Sequence, residues 1–244
     1  MKVSKLVVFS VAVVAVATVV GIASAQQGKG RGGGFFGGAA GGNLTVLAAS
    51  EAVQKDLGLS GDVVGKLTSL RDDFFAASQK ENQNAGIRPQ DFQNLSADER
   101  RAATEKMAAI GAKLNEEFTP KLKELLSADQ FKRLKQIQIQ AMGAGPALAS
   151  KEVASELGLS DEQTKKIGEV NAEALGKQRE LSGDFQERFA KIRELNTERD
   201  NKAVELLTAD QKTKFTALKG SAFDTTQLGF GGRGGFGGRK GKGN

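Results

Sequence analysis

Nearly the same phrase occurs twice in the sequence, as KELLSADQFKRL at 123–134 and as VELLTADQKTKF at 204–215. Each phrase places a Ser or Thr after a Leu and a Gln three residues later. This spacing predicts a capping box, in which the hydroxyl accepts a hydrogen bond from the Gln backbone N–H and the Gln side chain bonds back to the N–H of the Ser or Thr. Each phrase therefore predicts the start of a helix.

Related phrases occur at three other places. LSDEQ at 159–163 has the full pattern, LSADE at 95–99 has Glu in place of Gln, and LSGDV at 59–63 has no side chain that could return a bond. Each cap contributes about 1 kcal/mol, and helix capping alone is one interpretation of the motif. The motif residues are Leu59, Ser60, Leu126, Ser127, Gln130, Leu159, Ser160, Gln163, Leu207, Thr208 and Gln211.

The sequence also contains an internal repeat. Residues 50–67 align with residues 150–167 at an offset of 100, without a gap. The two phrases quoted first align at an offset of 81, so the first copy has about 19 extra residues, which we place near Gly86. Two tandem, diverged repeats are therefore predicted, at 44–145 and 146–228.

Apolar residues inside the repeats recur at helical spacing. Leu67, Leu70 and Phe74 illustrate the pattern, and β-branched alternation is absent after residue 25. Pro120 predicts a kink in its helix, with Thr119 available to cap the continuation. The predicted fold class is all-α, with antiparallel helical hairpins packed in the manner of a coiled coil.

Residues 1–25 have the layout of a signal peptide. Lys2 and Lys5 precede an apolar run at 6–22, and Ala-Ser-Ala at 23–25 fits a cleavage site. The apolar run is short for the alternative, an uncleaved membrane anchor. We expect the chain to be exported, either to the periplasm or to the medium.

Glycine-rich segments at 26–43 and 229–244 flank the repeats, and their composition predicts disorder. All charged side chains in these two segments are Lys or Arg. Residues 44–228, in contrast, contain 27 Lys and Arg and 29 Asp and Glu, a net charge of −2. The C-terminal tail has three interpretations: a solubilising tail, an RNA-binding segment of the RGG type, or attachment to an anionic envelope surface. Its cationic residues are Arg233, Arg239, Lys240 and Lys242.

The sequence has no histidine and no cysteine, which removes the commonest general base, thiol nucleophiles and most zinc ligands. Adjacent carboxylates, such as Asp72 and Asp73, diverge by about 100° on a helix and do not face one substrate. No nucleophile elbow or phosphate-binding loop is present. We predict that the protein is not an enzyme and has neither a cofactor nor a soft-metal site, while a weak carboxylate site for a hard cation stays open.

The Leu-Ser/Thr-x-x-Gln motif, arranged in pairs and preceded by ELG or by KEL and VEL, resembles the LTxxQ-motif family of exported bacterial proteins, the Spy and CpxP group. The family typically has two motifs per chain, so this chain resembles two family units in tandem. The resemblance implies an all-helical, cradle-shaped periplasmic dimer that binds partly folded proteins without ATP and in some members reports envelope stress. One chain could build the cradle as an intramolecular pseudo-dimer, or two chains could form a homodimer.

On this resemblance, the expected partners are unfolded or misfolded exported proteins. Candidate client-binding residues are Phe74, Phe118, Phe185 and Phe189, and burial in the core is the other interpretation of these side chains. The main alternative function is a non-catalytic structural or surface-associating protein whose cationic tails bind anionic envelope material or RNA. A third possibility is a stress-sensing partner of a membrane receptor.

Overall fold

The predicted all-α fold class is confirmed. A computed structural model describes residues 42–88 and 94–228, and this part of the chain consists of ten α-helices and one 3-10 turn, without a β-strand. Within these two ranges, no helix has both the length and the apolar character needed to cross a bilayer.

The helices occur twice in the same order, with two short helices, two long helices and one of intermediate length. The first set is α1 (Leu44–Ala48), α2 (Glu51–Asp56), α3 (Gly61–Asn84), α4 (Ala97–Leu125) and α5 (Ala128–Met142). The second set is α6 (Ala144–Ala149), α7 (Lys151–Leu157), α8 (Asp161–Arg179), α9 (Phe185–Glu205) and α10 (Ala209–Lys219). A 3-10 turn at Thr225–Leu228 follows.

The two long helices of each set form an antiparallel hairpin. Phe74 of α3 packs edge-to-face against Phe118 of α4, with ring centroids 5.3 Å apart. Glu81, further along α3, pairs with Lys113, which comes earlier in α4. Helices α8 and α9 pack in the same antiparallel way.

The first short helix of each set is the buried centre of its half. Residues Thr45 to Ala48 of α1 are all buried, and α1 packs on α3, α4 and α5. In the second half, Ala147 and Leu148 of α6 are buried where α6 packs against α8 and α9. Isolated helices of this length are unstable in water, so tertiary packing holds them.

Two clusters of buried apolar side chains form the core, and α5 connects them. Leu134 and Ile137 of α5 belong to the first cluster, which draws mainly on α1 to α5. Ile139 and Met142, at the end of the same helix, pack against the second cluster. The 3-10 turn returns to the first cluster, where Leu228 is buried.

After α10, residues 220–228 run back to the first half, and we call them the returning segment. The Gln140 side chain of α5 holds the end of α10 at one point and the returning segment at two. Its Nε2 donates to the carbonyl oxygens of Lys219 (2.7 Å) and Ser221 (2.9 Å), and its Oε1 accepts from the Phe223 N–H (2.8 Å). The end of the described chain is therefore fastened to the first half.

The predicted helix restart at Thr119 is wrong. Helix α4 runs from Ala97 to Leu125 without a break, although Pro120 lies inside it. Proline removes one hydrogen bond of the helix. Phe118 and Leu122 on either side of Pro120 are both buried in the first cluster, and this packing holds the helix together.

Several sequence predictions fall outside the described residues. The signal peptide at 1–25 lies there, as does the glycine-rich segment at 26–43 except for Gly42 and Asn43. The C-terminal tail at 229–244 also lies there, with its cationic residues Arg233, Arg239, Lys240 and Lys242.

Replacing a core phenylalanine tests the first cluster. Phe118→Ala should lower the free energy of unfolding by about 3–5 kcal/mol, because the side chain is only 2% exposed and contacts Phe74. Phe75→Ala is the matched control, since Phe75 is 42% exposed, and it should cost about 1 kcal/mol or less. Urea denaturation measures both, and equal losses would contradict the assignment of Phe118 to the core.

Candidate functional site

The capping boxes close with both hydrogen bonds. At the start of α5, the Gln130 N–H donates to the Ser127 hydroxyl oxygen (3.2 Å), and the Ser127 N–H donates to Gln130 Oε1 (2.9 Å). Ser60 begins α3 without a side-chain hydrogen bond, and Val63 has no polar group to return one. Boxes of the same kind start α4, α8 and α10, formed by Ser96 with Glu99, Ser160 with Gln163, and Thr208 with Gln211.

The glutamines of the second half also bond to other helices. Gln163 Nε2 donates to the carbonyl oxygen of Leu206 at 2.9 Å, and Gln211 Nε2 donates to that of Gly158 at 3.3 Å. Leu206 ends α9 and Gly158 ends α7. Carbonyls at helix ends lack a partner within their own helix. Each glutamine therefore begins one helix and satisfies the end of another.

The two glutamine amides also bond to each other. Gln163 Nε2 lies 2.7 Å from Gln211 Oε1, and Gln211 Nε2 lies 3.2 Å from Gln163 Oε1. We call this pair, with the carbonyls of Leu206 and Gly158, the glutamine clamp. It holds the starts of α8 and α10 side by side, at the base of the second hairpin.

The clamp explains why the motif uses glutamine. An amide both accepts and donates, whereas an ionised carboxylate only accepts. Glu99 provides the comparison, because its hydrogen bonds among the described residues all go to Ser96. These bonds lower the pKa of the Glu99 carboxyl. A glutamate can close a capping box, but it cannot connect the box to a second helix end.

The first half contains half of this arrangement. Gln130 Nε2 donates to the carbonyl oxygen of Leu57, which ends α2, at 3.2 Å. Position 63, which aligns with Gln163, is Val63. This position therefore has no amide that could bond to Gln130.

The motif leucines anchor the same junctions to the core. Leu126 and Leu207 are buried, while Leu59 and Leu159 are half-buried and pack against the two clusters. Gly158, at φ +62°, turns the chain so that the Leu159 N–H reaches back to α7. Such a turn favours glycine, because it requires a positive φ.

Polar side chains that the sequence analysis did not single out hold the two central short helices. The Gly145 N–H of α6 donates to Asp200 Oδ1 (2.9 Å), and Asn171 Nδ2 donates to the Gly145 carbonyl oxygen (3.0 Å). In the first half, Asn43 caps α1 and donates to Asn115 Oδ1 (2.7 Å). Nothing local in the sequence marks these contacts, since they join residues 26 to 72 positions apart.

Four charged residues bridge α8 and α9. Within each helix, Lys177 pairs with Glu173 (2.7 Å) and Lys202 with Glu198 (2.9 Å). Lys202 also lies 3.7 Å from Glu173 across the hairpin. Hydrogen bonds and charge attraction within these pairs lower the pKa of both carboxyls and raise the pKa of both lysines. All four side chains are about half exposed, so the set favours one register of the hairpin more than it adds stability.

Two of the four predicted client-binding phenylalanines are inaccessible. Phe74 and Phe118 lie in the first cluster, because their helical spacing directs them into the hairpin. Phe185, the first residue of α9, is 73% exposed. Its ring stacks on Phe189 with centroids 6.0 Å apart, and the Arg193 guanidinium lies 5.3 Å from the Phe189 ring. We call Phe185, Phe189 and Arg193 the aromatic tip.

The aromatic tip is exposed because the second hairpin extends beyond α6, the short helix that packs on it. Helix α6 contacts the hairpin near Asn171 and Asp200. The tip lies at the opposite end of α9 from Asp200, about 20 Å along a helix of this length. Where only two helices pack together, part of their apolar surface stays in contact with water. Leu175 of α8 is also exposed.

Within the described ranges, no group of three or more acidic side chains is placed to hold a metal ion. No protein-family model matches this chain, and neither a curated protein nor a solved structure matches it.

Gln163→Glu tests the clamp. The variant keeps the oxygen that accepts the Ser160 N–H, but it places a carboxylate against the Leu206 carbonyl oxygen and Gln211 Oε1. We expect a loss of about 1–3 kcal/mol in the free energy of unfolding at neutral pH, measured with urea.

The matched control is the converse change, Glu99→Gln, in a box whose side-chain bonds, within the described part of the chain, stay between Ser96 and Glu99. It should alter stability by less than about 0.5 kcal/mol. If Gln163→Glu were as mild as this control, the amide donation would contribute nothing.

Proposed function

We propose that this chain is an exported protein that binds unfolded or misfolded envelope proteins without ATP, in the manner of the LTxxQ-motif group. The observation that carries the proposal is the aromatic tip. Phe185 exposes most of its ring and stacks on Phe189 at the end of a helical hairpin. Exposed apolar surface of this kind offers binding area to the apolar side chains of an unfolded chain.

Charges of both signs surround the aromatic tip. Arg193 lies over the Phe189 ring, and Lys191 pairs with Glu194 at 2.8 Å on the same helix. Exposed Glu187 and Arg188 lie between the two phenylalanines in the sequence. A mixed rim repels neither acidic nor basic segments, which suits a binder that accepts many clients.

The motif residues support this function by positioning the hairpin. Gln163 and Gln211 are half-buried, and the amide N–H groups and oxygens of both side chains form hydrogen bonds within the chain. We therefore assign them to the base of the hairpin rather than to a client contact. In this account, Leu-Ser/Thr-x-x-Gln sets the direction of the hairpin, and Phe185 and Phe189 make the contact.

The described part of one chain contains two long hairpins, α3 with α4 and α8 with α9. We propose that a single copy supplies the pair of hairpins that the family resemblance would otherwise draw from two chains. Association of two copies is the alternative, and the molecular mass in solution separates the two.

The test is suppression of aggregation of a chemically denatured client, followed by light scattering without nucleotide. The chain from residue 26 to 244 should protect the client. Phe185→Ser combined with Phe189→Ser should require several-fold more protein for the same protection, because the stacked rings are lost.

Phe75→Ser is the matched control, since it removes an exposed phenylalanine from the middle of a helix rather than from a hairpin end. Circular dichroism should show unchanged helix content in all variants. Full protection by the double variant, or no protection by the unaltered chain, would refute the proposal.

A further inference from the structure

Three side chains of α9 lean on one another in a row. Phe185, Phe189 and Arg193 are spaced four residues apart, and helical side chains tilt towards the N-terminus of their helix. The Arg193 guanidinium accordingly lies 5.3 Å from the centre of the Phe189 ring, and the Phe189 ring stacks on Phe185 with the two planes 19° apart. Each side chain of the row therefore covers the one that precedes it.

The row is open at Phe185. This residue is the first of α9, so no earlier turn of the helix lies in front of its ring. The position four residues before it is Leu181, which lies in the turn after α8 and is half-buried. Phe189 covers one face of the Phe185 ring, and Phe185 is still 73% exposed. The face turned away from Phe189 is therefore available to a ligand.

An exposed aromatic face attracts cations. The face of a phenylalanine ring carries partial negative charge, and a cation above it is favoured. Arg193 makes this contact with Phe189 at the inner end of the row. A guanidinium suits the outer end better than an ammonium group, because it is flat and stacks on a ring. An arginine on Phe185 would therefore extend the row with a contact of the same kind.

Two carboxylates lie at the same end of α9. Asp184 directly precedes Phe185, and its Oδ1 accepts two backbone N–H groups of the first turn, at 2.8 and 2.9 Å. These bonds hold the carboxylate at the start of the helix, where it offsets the positive end of the helix dipole. Glu187 Oε2 lies beside Gly183, 3.0 Å from the place that an added Cβ would take, so this carboxylate reaches back over the turn before α9. A cation at Phe185 therefore meets negative charge.

The end of the second hairpin is acidic, although the charges around the aromatic tip as a whole are mixed. Residues 180–187 contain three carboxylates and no Lys or Arg. The cations of α9 begin at Arg188, and Lys191 is paired with Glu194. The charge closest to the open ring along the sequence is negative, and it complements a cationic partner.

We infer that the aromatic tip selects segments of unfolded chains in which an arginine lies beside apolar residues. The inference rests on the proposed function and specifies its client class. The client guanidinium stacks on the outer face of Phe185, and the carboxylates of Asp184 and Glu187 attract its charge. The contact with the ring and the ion pair each strengthen binding about two-fold at an exposed site, so one arginine adds about five-fold.

The test uses short fluorescein-labelled apolar peptides that differ only at one central residue, which is Arg, Lys or Gln. Binding to the chain from residue 26 to 244 is measured by fluorescence anisotropy. The Arg peptide should bind about five-fold more tightly than the Gln peptide, with the Lys peptide between them.

Two variants separate the ring from the carboxylates. Phe185→Leu keeps an apolar side chain but removes the ring, and Asp184→Asn with Glu187→Gln removes both charges. Asparagine still caps a helix, so α9 should begin at the same residue, and circular dichroism checks the helix content. Each variant should reduce the preference for Arg over Gln from about five-fold to about two-fold.

The matched control for the charge variant is Glu156→Gln with Glu205→Gln. Both carboxylates are exposed, and Glu205 lies at the other end of α9, about 30 Å from Phe185. This double variant changes the net charge by the same amount and should keep the full preference for arginine.

Three results would overturn the inference. They are equal affinity for the Arg and Gln peptides, a preference that Phe185→Leu leaves unchanged, and a failure of all the peptides to bind. Client protection is followed separately by light scattering. Full protection without a preference for arginine would therefore reject the inference and leave the proposed function standing.

Discussion

The second half of this protein depends on one pair of side-chain amides. Gln163 and Gln211 each accept the N–H at the start of a helix, donate to the carbonyl at the end of another helix, and bond to each other. Helix ends leave backbone groups without partners, and two side chains satisfy several of them at once. The base of the second hairpin is fixed in this way, and its far end stays outside the core with Phe185 exposed.

In the first half, the base of the hairpin is fixed with more apolar packing. It has Val63 where the second half has Gln163, so one of its two motif positions, Gln130, carries a glutamine that donates to another helix end. Its hairpin is longer, is filled by Phe74 and Phe118, and receives Leu228 from the end of the described chain. In the second hairpin, charge contacts between α8 and α9, from Lys202 to Glu173 and from Lys177 to Glu198, take the place of aromatic packing. Similar sequences thus give two different hairpins. The second has a polar base and an exposed tip, and the first has a more apolar base and buried phenylalanines.

Features that depend on neighbouring residues could be predicted from the sequence. The starts of α5, α8 and α10 follow from the chemistry of Ser or Thr with Gln, and the turn at Gly158 follows from the freedom of glycine. The amide donation to Leu206 could not be predicted, because it joins residues 43 positions apart. The spacing of the phenylalanines could not separate buried Phe118 from exposed Phe185, since the outcome depends on where the short helices pack. The return of the chain to α5 rests on Gln140, which no motif marks.

A double-mutant cycle between Gln163 and Gln211 tests the central claim most directly. Each is replaced by Ala, singly and together, and the free energy of unfolding is measured with urea. The clamp predicts a coupling of about 1 kcal/mol, because either single change already breaks the bonds between the two amides. Gln130→Ala, which acts in the other half, should show no coupling to Gln163→Ala. If the losses at Gln163 and Gln211 added within about 0.3 kcal/mol, the two glutamines would be separate helix caps and the clamp would not exist.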